Sequence, residues 1–161
     1  MIVQWDATDA TTAAQLRSMD EDDLVDWLES PDGRISFDVD KAWHAVHFTL
    51  AGDAWTPVGP LGSVVLGGEE FGEDLGYGPA RWLPPDAVAE AARELAALSV
   101  DDFAARLDFA AMAREQIYPQ IWDRDPAGED LVGYVVAGYE TIRTQFAEAA
   151  AANQGFVISM V

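Results

Sequence analysis

The chain has 161 residues, half of them hydrophobic and 11% aromatic, which suits one domain over residues 1–161 and is too apolar for a disordered segment. Nine basic against 29 acidic side chains give a net charge of −20, a field that repels phosphate backbones and anionic lipid, so nucleic acid and membrane are not expected partners. The absence of cysteine excludes a disulfide framework, a thiolate nucleophile and a Cys-ligated zinc site.

Ile2 to Ala7 alternates as a short strand. Thr8 or Asp9 can cap a helix through Ala13, Leu16 and Met19. Ser18-Met19-Asp20-Glu21 has capping-box spacing for a second helix that buries Leu24, Trp27 and Leu28. Pro31-Asp32-Gly33 turns the chain. A third helix is expected from Asp38 or Asp40 to Leu50, with Trp43, Val46, His47 and Leu50 on one face and Gly52 as its stop. The glycine-rich, acidic stretch from Gly52 to Gly78 reads as a long irregular connection with at most one helical turn.

Ala80 to Leu83 reads as a strand, and Pro84-Pro85 opens a helix with Val88, Ala91, Ala92 and Leu95 on one face. Ser99 caps the next, expected to bury Phe103, Leu107 and Ala110. A long helix follows from about Glu129 to Ala152, with Leu131, Val135, Tyr139, Ile142 and Phe146 at helical spacing. Phe156 to Val161 is a terminal strand that can lie beside the first. Strands at both ends with helices between them predict an α+β fold, a small sheet combining the N- and C-terminal strands and covered by several helices.

Two segments carry a family resemblance. Phe37-Asp38-Val39-Asp40-Lys41-Ala42-Trp43-His44-Ala45-Val46-His47-Phe48-Thr49-Leu50-Ala51-Gly52 resembles the D-K-x-W-x-x-[LI]-H-F-x-L-[TS]-G segment of the YfbM-like bacterial proteins. Ile117-Tyr118-Pro119-Gln120-Ile121-Trp122 is similar to their I-Y-P segment. The long helix followed by a glycine-bounded apolar strand is also similar to the ending of that family. Ala51 departs from the pattern, where the family has a small hydroxyl residue, and His44 stands at a variable position whereas His47 matches. The resemblance implies a fold and no reaction.

The chemistry-bearing candidates are sparse. His44 and His47 are the two histidines. With Asp40 they form a weak metal-ligand candidate on one helix face. The competing reading makes His47 a half-buried, hydrogen-bonded helix residue and His44 a solvent-facing one, and no metal or other cofactor is favoured. His47 could serve as a general base, yet no G-x-S-x-G elbow surrounds any serine. Asp123 to Gly128 opens like a calcium loop and then loses its register at Ala127 and Tyr134. The glycines between Gly67 and Gly78 stand among Glu69, Glu70, Glu73 and Asp74, which would repel phosphate. Tyr77, Tyr118 and Trp122, with Trp55 and Trp82, can line a groove or belong to the core.

Two functional readings follow. The first is a non-enzymatic, cytoplasmic binding protein whose partner is a protein with a basic surface; the N-terminus has no signal-peptide pattern and no stretch reaches the length of a membrane span. The alternative is an enzyme or small-ligand binder with a pocket around His47, Tyr77, Tyr118 and Trp122.

Overall fold

The computed structural model describes residues 1–123 and 130–161. The strands are β1 (Val3–Thr8), β2 (Ser36–Asp38), β3 (Glu69–Phe71), β4 (Ala80–Leu83) and β5 (Gly155–Met160). They form one sheet in the order β2-β1-β5-β4-β3, with every neighbouring pair antiparallel. The terminal strands therefore do pair, and β5 takes the centre.

The helices are α1 (Ala10–Leu16), α2 (Glu21–Glu29), α3 (Trp43–Ala51), α4 (Gly59–Leu66), α5 (Pro85–Ala97), α6 (Val100–Ala104), α7 (Phe109–Arg114) and α8 (Leu131–Ala151). They cover both faces of the sheet. Trp5 of β1 and Phe156 and Ile158 of β5 face the main core with α3, α4, α5 and α8, whereas Trp82 and Val157 face a smaller core with Leu16, Leu24 and Leu28 of α1 and α2. Every residue of β5 is buried, because a central strand under two helical layers has no solvent face. The Trp5 indole donates to the Val64 carbonyl at 2.8 Å, which ties the sheet to α4. No helix among the described residues is long and apolar enough to cross a membrane.

Several expectations need correction. The stretch 52–78 is not an irregular connection, since it carries α4 and β3. Gly62, Val64, Val65 and Leu66 are all buried between α3 and α5, so α4 has no polar stripe to mark its period. The helix after Ser99 stops at Ala104, and a new one, α7, is capped by Asp108, whose carboxylate accepts from the Ala111 amide at 2.9 Å. Ala111 and Met112 are buried there in place of Ala110. α2 is capped by Asp20, with the Asp23 amide donating at 3.0 Å, and not by a box beginning at Ser18. The third helix proper starts at Trp43, after a single 3₁₀ turn over Asp40–Ala42. Gly52 does end it in a left-handed conformation, φ 71°. The loop motif from Asp123 to Gly128 lies, apart from Asp123, outside the described residues.

Candidate functional site

Both histidines of α3 are buried, His44 with 1% and His47 with 0% of its surface exposed, so the solvent-facing reading of His44 and the half-buried reading of His47 are both corrected. The Tyr118 amide N–H donates to His44 Nδ1 at 3.0 Å, and His44 Nε2 lies 2.7 Å from the Ala54 carbonyl. An amide can only donate and a carbonyl can only accept. The ring is therefore the neutral Nε2–H tautomer, with both nitrogens in use. Burial also holds its pKa below the ordinary value for histidine. The imidazole is stacked on Trp43, with centroids 4.6 Å apart, and touches Trp55 at 4.3 Å, so it joins the turn after α3 to the Tyr118 segment.

His47 differs. Neither of its ring nitrogens, nor the Trp43 Nε1 one turn earlier, has a hydrogen-bond partner among the described residues. Burial, reinforced by His44, depresses its pKa to about 4; the Asp53 carboxylate and the Gly62 backbone oppose this to a lesser degree. The ring has no solvent-facing surface.

The other sequence candidates do not converge on it. Trp122 is 4% exposed, donates its indole N–H to the Ile117 carbonyl at 2.7 Å and stacks on Phe109. Tyr118 is half-buried beside Trp43. Asp40 accepts from the Tyr134 hydroxyl at 3.0 Å. Among the described residues no group of three or more His, Asp or Glu side chains is arranged to hold a metal ion. Trp82 belongs to the smaller core.

Tyr77 and Trp55 both line a groove of about 530 Å³ between the β3–β4 end of the sheet and the turn that follows α3. Leu66 and Met160 supply its apolar lining, and the Glu70–Arg81 pair, 3.0 Å apart, supplies its polar lining. Trp55 is 57% and Tyr77 56% exposed, although most of the other tryptophans are packed inside. Each ring is carried on a turn clamped by an aspartate. Asp53 Oδ1 accepts from the Trp55 and Thr56 amides at 2.9 and 2.7 Å; Asp74 Oδ1 accepts from the Gly76 and Gly78 amides, both at 2.8 Å. Gly76 and Gly78 sit at φ +109° and +104°, backbone that side-chain-bearing residues rarely adopt, which lets the Tyr77 turn close around one carboxylate. These amide bonds lower the pKa of both aspartates, so the turns keep their negative charge.

Sequence reasoning found Tyr77 and Trp55 and missed Asp53, Asp74, Glu70 and Arg81. An aspartate two residues before a free amide is the available signal for the clamps, and D-x-W and D-x-G both show it. A larger hollow of about 690 Å³ lies beside α5 and α6, with Leu61 and Leu98 at its floor and exposed side chains of both signs around them, among them Glu90, Arg93, Asp102 and Arg106. It has neither exposed aromatics nor a buried polar group.

The chain belongs to the family of domains of unknown function DUF1877, whose model matches residues 1–159. Its fold is similar to that in the crystal structure of YfbM from Escherichia coli, a protein of unknown function, with a TM-score of 0.78 and 21% identity over 100% of both chains. No curated protein matches the chain.

Proposed function

We propose that the protein is a non-enzymatic, cytoplasmic interaction protein that holds a partner protein with a basic surface in the groove between Trp55 and Tyr77. The observation that carries this reading is the pair of exposed aromatic rings on one groove, each fixed on an aspartate-clamped turn. Exposing two large aromatics is unfavourable for an isolated protein, and fixing them in advance lowers the entropy lost when a partner covers them. Tryptophan and tyrosine are also the residues on which interface energy concentrates. The charge of −20 favours a partner of opposite sign. The sealed state of His47 and the scatter of Tyr77, Tyr118 and Trp122 over different parts of the fold weigh against the enzyme alternative.

Trp55→Ala and Tyr77→Ala are each expected to weaken the partner complex by about 30-fold, the effect of losing a hot-spot aromatic of about 2 kcal/mol. Tyr77→Ala should leave the melting temperature nearly unchanged, whereas Trp55→Ala should lower it somewhat because the covered part of that ring packs on His44. The partner is to be isolated by cross-linking at physiological salt and its affinity measured by calorimetry. A partner that binds the double variant as tightly as the wild type excludes the groove.

A further inference from the structure

The lining of the groove says more about what enters it. The Glu70–Arg81 pair is unequally exposed: the Arg81 side chain retains 21% of its surface and Glu70 57%. The same asymmetry recurs one residue earlier, where Glu69 is 75% exposed and its partner Arg17 only 34%. In both pairs the arginine is the more covered member, so β3 presents carboxylates to solvent. Asp53 and Asp74 add two further charges on the turns that carry the aromatic rings. Arg81, a cation lining the groove, is paired with Glu70 at 3.0 Å, so the two offset each other and the net negative charge comes from Asp53 and Asp74. Anionic turns around two aromatic faces form an environment that favours a cation, since the ring quadrupole and the carboxylates attract it together.

β3 is also the outer strand of the sheet, paired with β4 alone among the described strands. An edge strand offers main-chain hydrogen bonds to an extended chain. That feature separates a polypeptide from a free amine, which could use the rings but not the edge. A second copy of this protein is a poor occupant, because each copy carries a charge of −20.

From these features, and resting on the interaction reading above, we infer that the occupant of the groove is an extended partner segment that places a lysine or arginine side chain between Trp55 and Tyr77, beside Glu70. The aromatic rings hold the cation, Glu70 accepts a hydrogen bond from it, and the segment runs along the edge of β3.

The test uses the whole chain, isotope-labelled, titrated by NMR with two capped peptides, one alternating lysine with glycine and one alternating glutamine with glycine, and with spermidine. The lysine peptide is expected to shift the Trp55 indole and Tyr77 ring signals. It should bind at least about 10-fold more tightly than the glutamine peptide, and lose a similar factor in Trp55→Ala and in Glu70→Gln. Raised salt should weaken it. Equal binding of the two peptides through Trp55 overturns the cation while leaving the groove as an interaction site. Spermidine binding as tightly as the lysine peptide overturns the polypeptide occupant. No shift at about 5 mM peptide, a concentration that would reveal even millimolar binding, overturns the inference. In that case the groove reading stands or falls on whether the isolated partner needs Trp55. Self-association that Trp55→Ala abolishes overturns the inference in favour of a second copy.

Discussion

Replacing Arg34 with alanine is expected to cost about 3–5 kcal/mol of folding stability, because it strands a buried carboxylate. Asp6 lies on β1 with 0% of its side chain exposed and Arg34 has 12%; the guanidinium Nε meets Asp6 Oδ1 at 3.0 Å. Gln4 donates a second bond to Asp6 at 3.1 Å. Burial nevertheless raises the Asp6 pKa, outweighing the combined help of Ser36, Arg34 and Gln4, so the carboxylate is held at a cost even with its partners present. Arg34 has further work. Its guanidinium sits 3.7 Å over the Trp27 ring and donates to the carbonyls of Trp27 and Ser30, both at 2.7 Å, which adds to the 3.3 Å bond from the Ser30 amide to Trp27 in closing the end of α2. Urea denaturation is the measurement. Arg34→Lys should lose less than Arg34→Ala, as it retains a charge and forfeits the stacking and the fork of hydrogen bonds. An Asp6→Asn/Arg34→Gln double variant should recover part of the loss. A stability of Arg34→Ala within about 1 kcal/mol of wild type would show that the pair behaves like an exposed one.

Acidification from pH 6.5 toward 4 should destabilise the fold through His47. The raised pKa of Asp6 acts in the opposite direction, because its folded carboxyl takes up a proton before the unfolded one does. An unfolded histidine takes up its proton near 6.5, whereas the buried ring resists until about 4. Between those values the unfolded chain binds more protons than the folded one, so stability falls as pH falls, and below about 4 the effect levels off. At about 1.4 kcal/mol per pH unit the loss is about 3 kcal/mol across the window, and above 6.5 His47 contributes no slope. His44, also depressed by burial, adds to the loss in the same direction. Asp9, Asp53 and Asp74 have pKa values below the ordinary 3.8, and their contributions disappear only at lower pH. Urea melts at a series of pH values should show a shallower slope for His47→Leu than for wild type. At pH 7 the variant should match wild type or gain about 1–3 kcal/mol, since leucine removes a polar ring whose nitrogens lack partners. An unchanged slope in His47→Leu would place the acid sensitivity elsewhere.

Much of the architecture is legible in the residues. The strands at the chain ends, the Gly52 stop, the Ser99 cap and the apolar stripe of α8 each depend on neighbours within a few positions, and local patterns report local causes. What escaped depends on distant partners. α4 is apolar almost all round because it is wedged between two helices, so no period marks it. β2 and β3 have three residues each and exist by virtue of the strands they pair with. His44 is buried because its ring bonds to Tyr118, 74 residues away, and to Ala54 beyond the end of its own helix. The candidate site was half visible for the same reason. Tyr77 and Trp55 announce themselves by type, but the groove between them requires Arg81 and Met160, which only the sheet brings near.

The position of β5 has a consequence for how the chain reaches its fold. β1 and β4 never pair with each other; both pair with β5, the last strand in the sequence. Until residues 155–160 are in place, β1–β2 and β3–β4 are two separate strand pairs without a common edge. Their exposed inner edges are templates for wrong pairing. Completion of the sheet therefore waits on long-range contacts, Val3 with Met160 among them, which form slowly compared with local ones.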